Sequence, residues 1–477
     1  MAALQVTWKD GSDTQTYEKA RIGRVFNHRR PDRYPIAVVE ATEESDIVEA
    51  VRLAKEKQCR LSVRSGGHSW AAWSVRDDAI LLDLGQYKHI DLDEKTGIVS
   101  VSPSTTGRML NGLLTSKGRL FAGGHCPDVG LGGFLLQGGM GWNCKVSRRI
   151  SMESAFTYSG QNWGWACEQV VGVDVVTADG EKLHCTEQEN SELLWAARGA
   201  GPGFPAVVTR FYLQTRPSYS CMRSSAYSYA NADFKKAMNW ILSIAATFDP
   251  DTEIVLVASY PPGSEEIVHT ALLLTFKNDP EEAQKALQPA QDSHPSGTVN
   301  EWFNRETSLV DQYKDQGAAN PEGHRYRVDN AYIANDADVA SVLEEAFTTL
   351  PTRKTFSLWY SMAPGTRRPL KDMALSMQTD HYFATYSIYE DASYDDKASA
   401  WVKHVMSGVE KHSEGAYLGD SDFQTRRTRF WGKEQGAKLM QLRRKWDPEG
   451  RICGYLDQGD QSRQDGLENV HEWSPKL

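Results

Sequence analysis

Two short clusters in this 477-residue chain carry residue types and spacings that can do chemistry. The first, Arg64-Ser65-Gly66-Gly67-His68-Ser69, follows a run of strand-forming residues. Paired glycines reach backbone angles closed to other residues, so successive N–H groups can converge there on a phosphate oxygen. The cluster reads as a pyrophosphate cradle; a plain Gly-Gly turn with a hydrogen-bonded structural histidine at 68 is the alternative. The second cluster runs from Gly123-Gly124-His125-Cys126-Pro127-Asp128-Val129-Gly130-Leu131-Gly132-Gly133 to Gly138-Gly139-Met140-Gly141. Eight glycines in the nineteen residues 123–141 exceed what turns need, so the backbone must approach something flat or bulky. A planar cofactor meets that requirement. The spacing is not GxGxxG and no βαβ unit frames it, which disfavours a Rossmann dinucleotide site. Cys126 taken alone reads as a small buried apolar residue.

The elements that must position these clusters follow from periodicity. Thr42 is placed to cap a helix whose Ile47, Val48, Val51 and Ala54 share a face. Strands are expected at 61–64, 79–84 and 97–103, a helix at 106–116, and a strand pair in QVVGVDVVTADGEKLHCT joined by the Asp179-Gly180 turn. A helix at 191–198 and a strand at 206–214 complete a first lobe ending near Pro217. Beyond it come long strands at 253–260, 267–276, 355–364 and 381–391, with helices near 232–247, 339–349 and 394–411. That pattern predicts an antiparallel sheet covered by helices on one face. An amphipathic helix near the C-terminus stops at Asp447-Pro448. The layout is α+β, without internal repeats.

Composition narrows the function classes. With 53 Lys+Arg against 63 Asp+Glu the net charge is -10, which offers no attraction to a phosphate backbone, so no nucleic-acid partner is expected. No run approaches the roughly 20 apolar residues of a membrane span, and the N-terminus lacks a signal-peptide core, so no membrane partner and a cytoplasmic location are expected. Seven cysteines (59, 126, 144, 167, 185, 221 and 453) with no CxxC pair suit a reducing compartment, and no metal site is expected.

Together, the two glycine clusters make the chain resemble the flavoprotein oxidases of the vanillyl-alcohol oxidase (p-cresol methylhydroxylase, PCMH) type, in their berberine bridge enzyme-like branch. In that branch the histidine of an R-S/G-G-G-H turn is bonded to the flavin 8α-methyl, and the cysteine of C-P-x-V-G-x-G-G is bonded to flavin C6. His68 and Cys126 stand at the matching places, ahead of QVVGVDVVTADG and a C-terminal KWDPEG. The resemblance implies FAD held covalently through both. Arg64, Ser65, Gly66, Gly67, Ser69, Val129, Gly130, Gly132, Gly133, Gly138, Gly139, Gly141 and Val173 would surround the cofactor. It also implies a two-lobed PCMH-type FAD-binding domain over 1–218, a substrate domain over 219–425 and a C-terminal segment, 426–477, returning to the first. The implied activity is an oxidase taking a hydride from an alcohol, amine or activated C–H of a bulky organic substrate and passing electrons to O2 to give H2O2.

The chain departs from that branch in three places. Its usual Asn-Tyr pair falls on Gly419-Asp420, so Asp420 becomes the leading base, with Tyr417 and Tyr455 as alternatives and a solvated turn as the competing reading. The family's N-F-F-x-x-N/Q segment is replaced by Gly450-Arg451-Ile452-Cys453-Gly454-Tyr455-Leu456-Asp457, so substrate recognition must differ from that of the sugar and alkaloid oxidases. Position 131 is Leu where smaller residues accompany fast reaction with oxygen, which leaves oxidase against dehydrogenase open. A flavin-containing cyclase without net redox change and a non-catalytic binder are the other classes. Arg426, Arg427 and Arg429 either meet an anionic substrate group or pair with the chain's own acids. The stretch after Cys144 is longer than the expected connection; it is a surface loop, or part of 146–158 is untranslated in the native transcript.

Overall fold

The computed structural model describes residues 4–144, 164–363, 366, 369–422, 426 and 428–454. The 146–158 stretch, Arg427 and Tyr455 lie outside the described residues. Three main sheets organise the described chain. The first has four strands in the order Val6–Trp8, Ala37–Glu40, Ala79–Asp83, Arg60–Arg64, parallel except at its Val6–Trp8 edge. Helix Glu44–Glu56 covers it with Ile47, Val48, Ala50, Val51 and Ala54. The N-cap is Glu43, not Thr42, because the Asp46 carboxylate gathers the Glu43 N–H together with the Thr42 N–H and hydroxyl.

The second sheet is antiparallel, in the order Ile90–Asp93, Ile98–Val101, Ala206–Gln214, Val170–Thr177, Lys182–Cys185. Asp179-Gly180 makes the last turn, with Gly180 at φ 84°. Helix Gly107–Ser116 has Thr106 as N-cap, its side chain accepting from the Met109 N–H.

The third sheet has eight antiparallel strands: Asn300–Thr307, Cys221–Ala230, Val268–Lys277, Thr252–Ser259, Phe356–Ser361, His381–Tyr389, Arg325–Ile333 and Ser413–Gly415. One face buries Ile254, Leu256, Ala258, Leu273, Trp359 and Phe383 against helices Phe234–Ala245, Pro280–Ser293, Val339–Thr348 and Asp395–Val409. The period of two then turns Glu253, Val255, Val257, Tyr360, Tyr382 and Tyr386 to the other face. Strands 221–230, 300–307 and 325–333 were not expected, since their Ser, Asn and Arg-rich sequences carry no strand pattern; the first and last lie one strand in from each edge and bury Ser224, Ser225, Ser228, Asp329 and Asn330. After helix Lys433–Trp446 the chain returns to the first sheet, where Leu61 donates to the Arg451 carbonyl at 2.7 Å and accepts from the Cys453 N–H at 2.8 Å. Among the described residues no helix is long and apolar enough to cross a membrane.

Candidate active site

The two glycine clusters meet. A Cβ on Gly66 would sit 2.5 Å from the Gly130 nitrogen, and one on Gly130 would sit 2.7 Å from Gly66, so the two backbones cross where neither can carry a side chain. Gly67 holds φ at 80°, and a Cβ there would strike the Arg24 carbonyl. Beyond the crossing, His68 and Cys126 project into one cavity of about 1150 Å³. Ser65, Gly66, Gly67, Ser69, Val129, Gly130, Gly132 and Gly133 also line it. A Cβ at Gly133 would meet nothing, which leaves an open backbone floor.

His68 stacks on Phe26, centroids 4.5 Å apart at 19°. Burial pulls its imidazole down to about 4, so the ring is neutral over the ordinary pH range. Burial, with the Asp420 and Asp128 charges, pushes the Cys126 thiol up to about 12. One nucleophile is therefore ready near neutrality, and the other remains protonated.

The remaining positions of the glycine reading differ in what they touch. Arg64 lines the cavity while its guanidinium forms a buried pair with Asp83 at 2.6 Å. Val173 is wholly buried in the core of the five-stranded sheet, paired with Phe211, while Val207 and Val208 of the adjoining strand line the cavity. Gly138, Gly139 and Gly141 serve packing: added Cβ atoms would strike Leu375, Ala166 and the Ala122 carbonyl respectively. Leu131 is core.

Opposite these loops, Asp420 reaches the cavity from the turn Leu418–Asp420 that follows the last strand of the eight-stranded sheet. Its Oδ1 accepts from the Trp70 indole N–H at 3.1 Å and its Oδ2 from the Tyr382 hydroxyl at 2.6 Å. It faces the cavity, so the solvated-turn reading fails. Asn330 shapes this turn: its side-chain oxygen accepts from the Tyr417 N–H at 2.7 Å, while its NH₂ donates to the Tyr417 carbonyl and the Ser421 hydroxyl, each at 2.9 Å. A Cβ at Gly419 would collide with the Tyr417 ring. Tyr417 is itself buried, its hydroxyl accepting from the Met140 N–H at 3.1 Å. Burial and the Asp420 charge hold the phenols of Tyr382, Tyr386 and Tyr417 well above the usual tyrosine range. Arg426 bonds Asp329 and Glu410, and Arg429 bonds Glu414, so both pair with the chain's own acids.

Sequence reasoning missed Phe26, Trp70, Glu253, Tyr360, Tyr382 and Tyr386 on the cavity wall. A signal was present for the last two: in His381–Tyr389 they lie four apart, on one face of a strand.

The pattern of a family described as an FAD binding domain matches residues 35–152, spanning both glycine clusters. The FAD-linked oxidoreductase penO of Penicillium crustosum is 37% identical over 457 residues, covering 96% of this chain and 97% of that protein. Among solved structures, BBE-like 1 of Physcomitrella patens superposes with a TM-score of 0.79 at 16% identity, over 95% of this chain and 96% of the other. The glucooligosaccharide oxidase of Acremonium strictum, with its 6-S-cysteinyl, 8α-N1-histidyl FAD, gives 0.78 at 19% identity, over 95% and 96%. The fold and site define a flavoprotein of the PCMH type. The chain belongs to the FAD-linked oxidoreductases, with the fold seen in the BBE-like protein, and FAD is its cofactor. The crossing glycines, the open floor at Gly133 and the size of the cavity, above the roughly 300–1,000 Å³ of a single small-ligand site, fit that group together with a substrate.

Proposed function

We propose that this enzyme is an oxidase that removes a hydride from an alcohol, amine or activated C–H of a bulky organic molecule, with His68 and Cys126 binding the flavin covalently. The observation that carries the reading is that His68, Cys126 and Asp420 all face one cavity, with Asp420 close enough to raise the Cys126 thiol pKa. FAD bound there supplies a two-electron acceptor that O2 reoxidises with release of H2O2.

The protein's part is positional and acid–base. The backbones at Gly66, Gly130 and Gly133 make room for the cofactor. Neutral His68, fixed by its stack on Phe26, is the first attachment point, and Cys126 the second. Asp420, held by Trp70 and Tyr382, accepts the substrate proton as the hydride leaves. Tyr417, whose phenol burial keeps protonated, positions the loop at Met140 rather than acting as base. We divide the chain accordingly into an FAD-binding part (1–218), a substrate part (219–425) and a returning segment (426–477). The Leu61 bonds to Arg451 and Cys453 support the last of these.

Acid precipitation of the purified protein tests the covalent reading. A yellow pellet heavier by one FAD is expected; a colourless pellet would remove both links.

A further inference from the structure

Across the same sheet from Asp420 lies a second polar group that the reaction above does not use. His125 Nε2 lies 2.9 Å from Glu253 Oε1, and Glu253 Oε2 accepts from the Asn143 backbone N–H at 2.7 Å. Glu253 is only 5% exposed, on the cavity face of Thr252–Ser259. Glu253 engages the Nε2 edge of the ring, which leaves Nδ1 as the edge turned away from the carboxylate. No hydrogen bond from another described residue reaches Nδ1, and the 22% of the side chain left exposed lines the cavity. Trp142 packs against the ring with centroids 4.4 Å apart, and Tyr360 approaches edge-on at 5.9 Å.

The sheet sets where this acceptor stands. Val255, Tyr360, Tyr382 and Tyr332 are direct cross-strand neighbours, one per strand. Glu253 is two residues from Val255 on the same face, and Tyr382 holds Asp420. The strands bearing Glu253 and Tyr382 are two inter-strand spacings apart, about 10 Å. Around them the wall is apolar: Val255, Val257, Leu272, Leu274 and Leu358 line it.

We propose that His125, oriented by Glu253, receives a hydroxyl of the substrate, and that the substrate is a bulky, largely apolar alcohol or phenol with this hydroxyl remote from the carbon facing Asp420. The inference rests on reading this cavity as the substrate site. In that contact the substrate O–H donates a hydrogen bond to Nδ1; the proton stays on the substrate oxygen, no covalent bond breaks, and nothing is oxidised or reduced. Glu253 acts through His125 and is a positioning residue.

The test uses calorimetric titration of the holoenzyme under anaerobic conditions, with 2-naphthol and its methyl ether 2-methoxynaphthalene as probes. Native protein is expected to prefer the naphthol by about tenfold, the scale of one hydrogen bond. His125→Phe keeps the ring packing without the acceptor and should abolish the preference while leaving ether affinity unchanged. In Glu253→Gln the new amide can donate to Nε2, which moves the ring proton to Nδ1 and should shrink or reverse the preference; a merely structural glutamate would not produce that reversal. Equal preference in native protein and both variants, or no preference in native protein, overturns the proposal. Acid-precipitated flavin read on the same samples separates this outcome from failure of the covalent reading.

Discussion

One cavity has two walls made by different means. On the loop wall, residues 64–69 and 123–133 bring His68 and Cys126 together through backbone contact, at a crossing that admits no Cβ. On the sheet wall, Glu253, Tyr360 and Tyr382 come from three strands and Asp420 from a turn beyond them, and side-chain register alone aligns them. At the Gly66–Gly130 crossing the loop wall is therefore intolerant of an added side chain, whereas at Gly133 it is open. On the sheet wall side chains, not backbone, form the cavity surface.

Substitutions can break or sharpen that contrast. The largest effect is expected for Asp420→Asn: reduction of the flavin by substrate should slow about 10²–10⁴-fold in anaerobic stopped flow, with acid-stable flavin unchanged. Unaltered reduction would move the chemistry off the sheet wall. Next, Gly66→Val forces a side chain into the Gly130 backbone and should cost about 3 kcal/mol in thermal unfolding together with loss of flavin. A stable, flavin-loaded variant would show that the crossing is not tight.

Within the loop wall, the two links should respond differently to pH. With His68 near 4, flavin attachment in Cys126→Ala apoprotein should be flat from pH 8 to about 5 and fall toward 4, where the imidazole gains its proton. With Cys126 near 12, attachment in His68→Ala should rise about tenfold per pH unit over the same range, following the thiolate. Mass spectrometry of timed samples reads both, and parallel profiles would contradict the assignment of one ready and one protonated nucleophile. The smallest change is expected for Tyr382→Phe, which removes one donor from Asp420; flavin reduction should slow about fivefold, because the Trp70 indole remains.

Legibility followed the same division. His68 and Cys126 could be read because a backbone-built site is local: the glycines that make it stand beside the residues it presents. The period-two strands at 252–259 and 381–389 were also visible. The packing of Val173, Gly138, Gly139 and Gly141 could not be read, because glycine density and a valine-rich strand do not say what lies beside them, and here Cβ atoms on the three glycines would meet Leu375, Ala166 and the Ala122 carbonyl. The pairing of Arg64 with Asp83 could not be read, because Asp83 lies on the neighbouring strand.

The sequence by itself determined the two glycine clusters that carry His68 and Cys126 and a helix-covered sheet, since each depends on neighbours within a few positions. Only the tertiary structure decided that Asp420 meets Trp70 and Tyr382, and that His125 meets Glu253. Those contacts are set by strand order and register, where a shift of one residue would turn every cavity-facing side chain into the helix layer.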